Sequence, residues 1–352
     1  MLRALAGEYM QCATTPGQQE KIALWRALNR CDMQRPMITM DQLPWQELAC
    51  DTLNCRISDE YWRKLEQQLR QSIYQHRYFP VDVVLDPCVV LPFCEDQTVL
   101  AQAREIFEGV APVRMSGLGF HLGVWDKITE ELGVDECYFA FYDEPERLHA
   151  EMQRRTDEVI CQIEQANALG LHDDNATLCH CSHVFTDELL PDCGAGHGPQ
   201  SKNCWAFGLA QLMTATSPDI FEEFELPYIT RMAAHFGAIY YGCCDRLDDR
   251  LDLVKRIPNV RKVSCSPWSN KENFAQQLGT KLVLSAKPNP AYLADTSMDD
   301  NVVRRELEEY CTLAKAYGLS LEFLLKDVST IKKDPARLTR WADIAMQVVQ
   351  NY

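Results

Sequence analysis

No stretch of this 352-residue chain approaches the ~18 consecutive apolar residues of a membrane-spanning helix, so no membrane span is expected. Met1 to Glu20 lacks a charged start followed by an apolar block, and no secretory signal is read there. Positive charge is in short supply: 35 Lys and Arg stand against 51 Asp and Glu, a net charge of −16 that argues against a nucleic-acid partner. No G-x-G-x-x-G follows a first strand, which weakens a doubly wound dinucleotide-binding fold. The cysteines form no C-x₂-C pair of pairs, so a self-contained structural zinc module is not indicated. No Pro/Gly/Ser-rich linker and no repeat divides the chain. We therefore read residues 1–352 as a single domain, with a helical extension over about 1–34.

Cysteine is abundant, at 16 residues. In a long chain without an export signal this indicates reduced thiols in a reducing cytoplasm. Most are read as core filler; Cys161 and Cys311 fall on apolar stripes of expected helices.

The most informative stretch runs from Gly237 to Asp252. Ala238 to Tyr241 reads as a short buried strand, Gly242 as a turn, and Asp245 to Ile257 as a helix. Cys243 and Cys244 thus follow the carboxyl end of a strand, where parallel α/β folds place their chemistry. Thiolates there are soft metal ligands or nucleophiles, or else plain filler.

Further strands are expected at Arg35–Met40, Val81–Leu85, Glu136–Tyr142, Arg261–Cys265, Lys281–Ala286 and Leu319–Leu325. Helices alternate with them: Pro16–Arg30, Ser58–His76, Pro145–Leu169 ended by Gly170, Met298–Tyr317 ended by Gly318, and Pro335–Gln350. Seven or eight such units suggest a closed (β/α)₈ TIM barrel.

From about Pro218 to Trp341 the chain resembles the uroporphyrinogen decarboxylase-like superfamily. The likeness is carried by Phe221-Glu-Glu-Phe with Leu226-Pro-Tyr228, Tyr241-Gly-Cys-Cys244, Leu253-Val-Lys-Arg-Ile-Pro-Asn259 and Val263-Ser-Cys-Ser-Pro-Trp268. Lys287-Pro-Asn-Pro290, Lys326-Asp327 and Asp334-Pro-Ala-Arg-Leu-Thr-Arg-Trp341 extend it. The resemblance implies a TIM barrel with its site at the mouth. It implies one of two chemistries, uroporphyrinogen decarboxylation or methyl transfer to or from a corrinoid on a partner protein. Several of the methyltransferases bind zinc through a His-x-Cys motif and a ligand from the last strand. The decarboxylases' Arg-Gln-Ala-Gly-Arg-Tyr motif is absent here, and Tyr240 and Tyr241 stand where a ligand histidine is expected.

We therefore expect a cobalamin-dependent, zinc-assisted methyltransferase moving a methyl group between a small molecule, such as a methyl ether, and a corrinoid protein. A decarboxylase and a non-catalytic corrinoid- or tetrapyrrole-binding protein are the alternatives, and a homodimer is left open. The metal candidates are Cys243, Glu322, His180 and Cys181, with Cys244 in reserve. Glu322 is a carboxylate inside an apolar strand, either a metal ligand or half of an ion pair. His180 and Cys181 belong to a Cys/His-rich segment that also holds Cys179, His183 and Cys193. Asp86, Asp143, Tyr240 and Lys287 are the catalytic candidates. Asp41, Tyr142 and Tyr241 are assigned to the substrate. Each Asp follows an expected strand, where it can act as acid or base or form a turn.

Overall fold

The computed structural model describes residues 1–48, 50–189 and 198–352. Ten strands are seen among them: β1 Met37–Met40, β2 Val89–Leu91, β3 Val113–Met115, β4 Leu178–Cys179, β5 Ser182–His183, β6 Trp205–Gly208, β7 Ala238–Tyr241, β8 Val260–Cys265, β9 Val283–Ala286 and β10 Ser320–Leu325. Six of them form one parallel sheet in the order β1-β10-β9-β8-β7-β6, which hydrogen-bonds the first strand of the chain to the last. β2 and β3 make a small parallel pair, and β4 and β5 an antiparallel one.

The large sheet is curled. Tyr240 on β7 bonds Ser285 on β9, and Lys262 on β8 bonds Glu322 on β10, so side chains of next-but-one strands meet on a concave face. The described strands make an arc of six rather than a closed ring of eight. Irregular segments flank the arc: Asp82 N donates to Ile38 O beside β1, while Phe207 N donates to Phe120 O beside β6. Val81–Leu85, expected as a strand, is one of these segments. After Asp82, two of its backbone donors go to side chains, Val84 N to His183 Nε2 and Leu85 N to Gln18 Oε1, so the pairing with β1 does not continue as a ladder.

Other expectations are corrected. Glu136–Tyr142 lies in a helix, Val134–Asp143. Gly133 precedes it, Asp135 and Glu136 favour its first turn, and Cys137 and Phe141, four apart, are the buried pair. The helix expected over Asp245–Ile257 shrinks to Leu251–Val254, because Asp245 folds back onto the Cys243 backbone amide. Cys161 is exposed, whereas Cys311 is buried as expected. An additional helix, Leu2–Ala13, precedes Pro16–Asn29. The layer outside the sheet is built from amphipathic helices. Val303, Leu307, Tyr310 and Ala314 make the buried stripe of Asp300–Tyr317, which Gly318 ends in a left-handed conformation. No described helix is long and apolar enough to cross a membrane.

Candidate active site at the carboxyl ends of the strands

Strand alternation sorts the residues of β7. Tyr240 points into the concave face, and Tyr241 points outward, where its hydroxyl donates to buried Glu225 at 3.0 Å and its ring packs on Phe221. Gly242 then turns the chain at φ +91°. A Cβ there would lie 2.6 Å from Leu247 Cδ1 and 3.1 Å from Ser264 Cβ, so only glycine fits. This turn presents Cys243, which is 4% exposed. Its amide donates to Asp245 Oδ1 at 2.6 Å, and its carbonyl accepts the Ser264 hydroxyl at 2.7 Å.

Lys326 follows β10 directly, and its Nζ lies 2.9 Å from Cys243 Sγ. The same ammonium lies 2.9 Å from His180 Nε2, so the imidazole accepts there. His180 comes from the β4–β5 turn, with φ +54°, and its ring lies flat on Phe207 at 4.0 Å. Cys244 Sγ is 3.8 Å from Cys243 Sγ and 3.4 Å from Asp327 Oδ2, so its single S–H proton has two acceptors in reach. Both cysteines of the turn therefore reach one cluster, Cys244 as well as Cys243.

These contacts set the charges. The Cys243 thiol is held below its ordinary range by a hydrogen bond from Cys244, which outweighs burial; the charges of Lys287 and Lys326 add to the effect. Cys244 is driven up, by its bond to Cys243 and by burial. Burial pushes the Lys326 ammonium down, but the charge of Cys243 and its hydrogen bond raise it further. The arrangement is a thiolate beside an ammonium, with a neutral Cys244 thiol next to them.

A second lysine stands close by. Lys287 Nζ donates to Tyr240 OH at 2.9 Å and to Ser264 Oγ, and Tyr240 OH meets Ser285 Oγ at 2.8 Å. Burial lowers the Lys287 pKa, partly offset by Cys243. The structure thus brings Cys243, His180, Tyr240 and Lys287 into one neighbourhood.

It does not bring Glu322 there as a metal ligand. Glu322 is buried, with Oε2 2.8 Å from both Lys262 Nζ and the Ser182 hydroxyl; Lys262 also donates to His183 O. A carboxylate at that depth needs a cation, and Lys262 supplies it. Cys181 is buried beside Asp41, and burial and that carboxylate both raise its thiol pKa, away from the ligand form. Asp41 also accepts the Gln42 amide at 2.7 Å, as a turn former. Asp86 faces Arg114 at 3.6 Å and Thr177 at 3.4 Å. Asp143 ends the helix Val134–Asp143, and Tyr142 on the same helix is 77% exposed. Tyr241 belongs to the layer between sheet and helices. His183 is structural: Nε2 accepts from Val84 N and Nδ1 donates to Thr177 O. Cys193 lies outside the described residues.

Lys326 and Lys262 are the residues that the sequence reading missed. Lys326 was legible in principle as a cation placed directly after an apolar strand, the same signal that marks Lys287.

Zinc can be tested against this donor set. Two ligands of one tetrahedral zinc, bound at about 2.0–2.3 Å, stand roughly 3.5–3.8 Å apart. Cys243 Sγ is 3.7 Å from His180 Nε2 and 3.8 Å from Cys244 Sγ. The position between sulfur and imidazole, however, belongs to the Lys326 ammonium. Among the described residues no group of three or more His, Cys, Asp or Glu side chains is arranged to hold a metal ion. As arranged, the residues do not fit zinc.

His180 also lines a cavity of about 480 Å³ with His121, Cys179 and Phe207. That volume is in the range that holds a small molecule.

No known family's model matches the chain, and no curated protein matches it. Among solved structures it is similar to a methyltransferase from Methanosarcina mazei, with 12% identity, 92% of this chain and 96% of that one covered, and a TM-score of 0.50. The two chains share a fold. At that identity the likeness speaks for the fold alone.

Proposed function

We propose that this protein is a methyltransferase, and that it moves a methyl group from a small-molecule donor to a corrinoid acceptor. The reading is supported by the fold shared with a methyltransferase over nearly the whole chain, together with a polar cluster at the carboxyl ends of the strands. The observation that carries it is Lys287, a buried ammonium bonded only to hydroxyls. Among the described residues it forms no ion pair. A methyl ether gives up its methyl only as its oxygen gains charge, and a proton from Lys287 relieves that charge. Tyr240 orients this lysine and links it to Ser285. The acceptor supplies a strongly nucleophilic cobalt. Trp268, 66% exposed in the turn after β8, offers a flat apolar face at the same end for a macrocycle. Zinc is not carried into this proposal.

The test is spectroscopic. Reduced cobalamin is incubated with the protein and a panel of methyl ethers and esters, and methylation of the cobalamin is followed in the visible. At least one donor is expected to react. Lys287→Gln is expected to slow the reaction by about 10²–10⁴-fold, the usual worth of a positioned acid. If no donor reacts, and methylcobalamin passes its methyl to no thiol, the proposal fails.

A further inference from the structure

Cys243 does more in this arrangement than fill space beside a glycine turn. The turn is fixed by Gly242, and the thiol is anchored through its amide to Asp245 and its carbonyl to Ser264. The sulfur lies 2.9 Å from Lys326 Nζ, and Lys326 is also held by the adjacent His180 imidazole, itself pinned on Phe207. A sulfur fixed in this way against a buried cation has the construction of a nucleophile.

We infer that Cys243 is a covalent acceptor site: its thiolate, paired with Lys326, takes an alkyl group from a carbon electrophile whose leaving group departs as an anion. The S–C bond forms as the bond from carbon to the leaving atom breaks, and the electron pair goes with that atom. When the atom is oxygen, Lys287 passes it a proton and becomes a neutral amine. Lys326 keeps its proton and, since the thioether carries no charge, is left with Asp327, 3.2 Å away, as its anionic partner. Two ammonium groups beside the sulfur disfavour sulfonium and quaternary ammonium donors, which arrive as cations. Neutral ethers and esters are the matching class. That the alkyl group is a methyl rests on the function proposed above; a second displacement by the corrinoid acceptor then returns the thiolate.

The groups facing Cys243 come from several elements. Lys326 and Lys287 carry positive charge, and His180 and His121 are imidazoles. Asp245, Asp126 and Asp327 are the carboxylates, with Cys244, Cys181 and Tyr240 completing the set. Lys326 lies closest to the sulfur; Asp245 holds the Cys243 amide, and Asp327 meets both Cys244 and, at 3.2 Å, Lys326.

The full chain, kept reduced, is treated with methyl iodide and separately with iodoacetamide across a pH series, and the modified cysteine is located by peptide mass spectrometry. Cys243 is expected to react first, at a rate nearly flat from about pH 6 to about pH 8, where an ordinary thiol changes about tenfold per unit. Lys326→Gln should lower the rate at about pH 6 by at least about tenfold and restore the ordinary rise, whereas Lys326→Arg should keep the flat profile. Thiolate absorption in the ultraviolet, parent minus Cys243→Ser at about pH 6, is read in parallel because it needs no reagent access. Absence of that difference overturns the inference. So does a thiolate signal with no methylation of Cys243 by methyl iodide, the smallest reagent. Zinc near one equivalent, lost in Cys243→Ser, overturns it as well. None of these readouts uses corrinoid, so they stand or fall separately from methyl transfer to cobalamin.

Discussion

Lys262 and Lys326 face the same concave surface and each neutralises an acid, yet the two pairs are built to opposite ends. Lys262 and Glu322 are both fully buried, enclosed by Ser182, the His183 carbonyl and the Trp25 ring. Lys326 holds a softer partner, the sulfur of Cys243, beside the half-exposed Asp327. The deep pair is made of groups that cannot change state without exposing a naked charge. The upper pair is made of a sulfur that can lose its charge by taking a proton or a carbon. Depth and choice of acid thus separate a fastening from a reactive centre, although the cation is a lysine in both.

Breaking the deep pair has the largest expected effect. Lys262→Met leaves Glu322 buried without a partner and is expected to cost about 3–5 kcal/mol in urea unfolding. Lys262→Met combined with Glu322→Leu should recover most of that loss, because a packed apolar pair replaces an ion pair at little net cost. A single variant as stable as the parent would erase the distinction between the two pairs.

Next in size is the pH dependence of the same deep region. Burial holds His183 neutral, with its pKa depressed to about 3 from an ordinary value near 6.5. The unfolded chain binds the extra proton through that window and the folded chain does not, so stability rises with pH between about 3 and about 6.5 and is lost on acidification. The slope from this group approaches about 1.4 kcal/mol per pH unit. Unfolding of parent and His183→Gln at a series of pH values should show the shallower slope in the variant.

The upper pair should yield the smallest changes in stability. Lys326→Gln leaves a thiolate that can take up a proton, so its cost should stay near that of one hydrogen bond to a charged group, about 1.5–3 kcal/mol. Asp327→Asn removes a partner that water already screens and should cost under about 1 kcal/mol. Thermal unfolding of both checks the order. An Asp327 effect larger than that of Lys326 would invert the account of which charge matters at this end.

Where local sequence and burial agreed, the chain was readable. Ala238–Tyr241 with its glycine turn, the strand around Leu321–Leu325, and the long helices closed by Gly170 and Gly318 follow from apolar spacing and left-handed stops. The parallel α/β character was legible for the same reason. Glu136–Tyr142 misled because seven residues rich in aromatics fit a strand and a helix equally. Only the tertiary partners of Cys137 and Phe141 decide for the helix, and Asp143 and Tyr142 left the site with it. Val81–Leu85 has the composition of a strand, but side chains of His183 and Gln18 take the amides of Val84 and Leu85, and no local pattern announces that. Cys243 was legible from its place after a strand. Its partners were not: whether a thiolate meets zinc or an ammonium depends on which of Glu322, within β10, and Lys326, directly after it, reaches the sulfur.

The Ser264 hydroxyl has a consequence for how this site responds to perturbation. It donates to the carbonyl of Cys243 and receives the ammonium of Lys287, so one oxygen joins the backbone of the nucleophile to the proton carrier. Any shift of Lys287, whether by an arriving substrate or by substitution, is felt at the Cys243 turn, which Gly242 leaves no room to relax. The two groups therefore share an interaction energy through a third residue that has no acid–base role of its own. Changes at Lys287 and Cys243 will not add, and the missing increment belongs to Ser264.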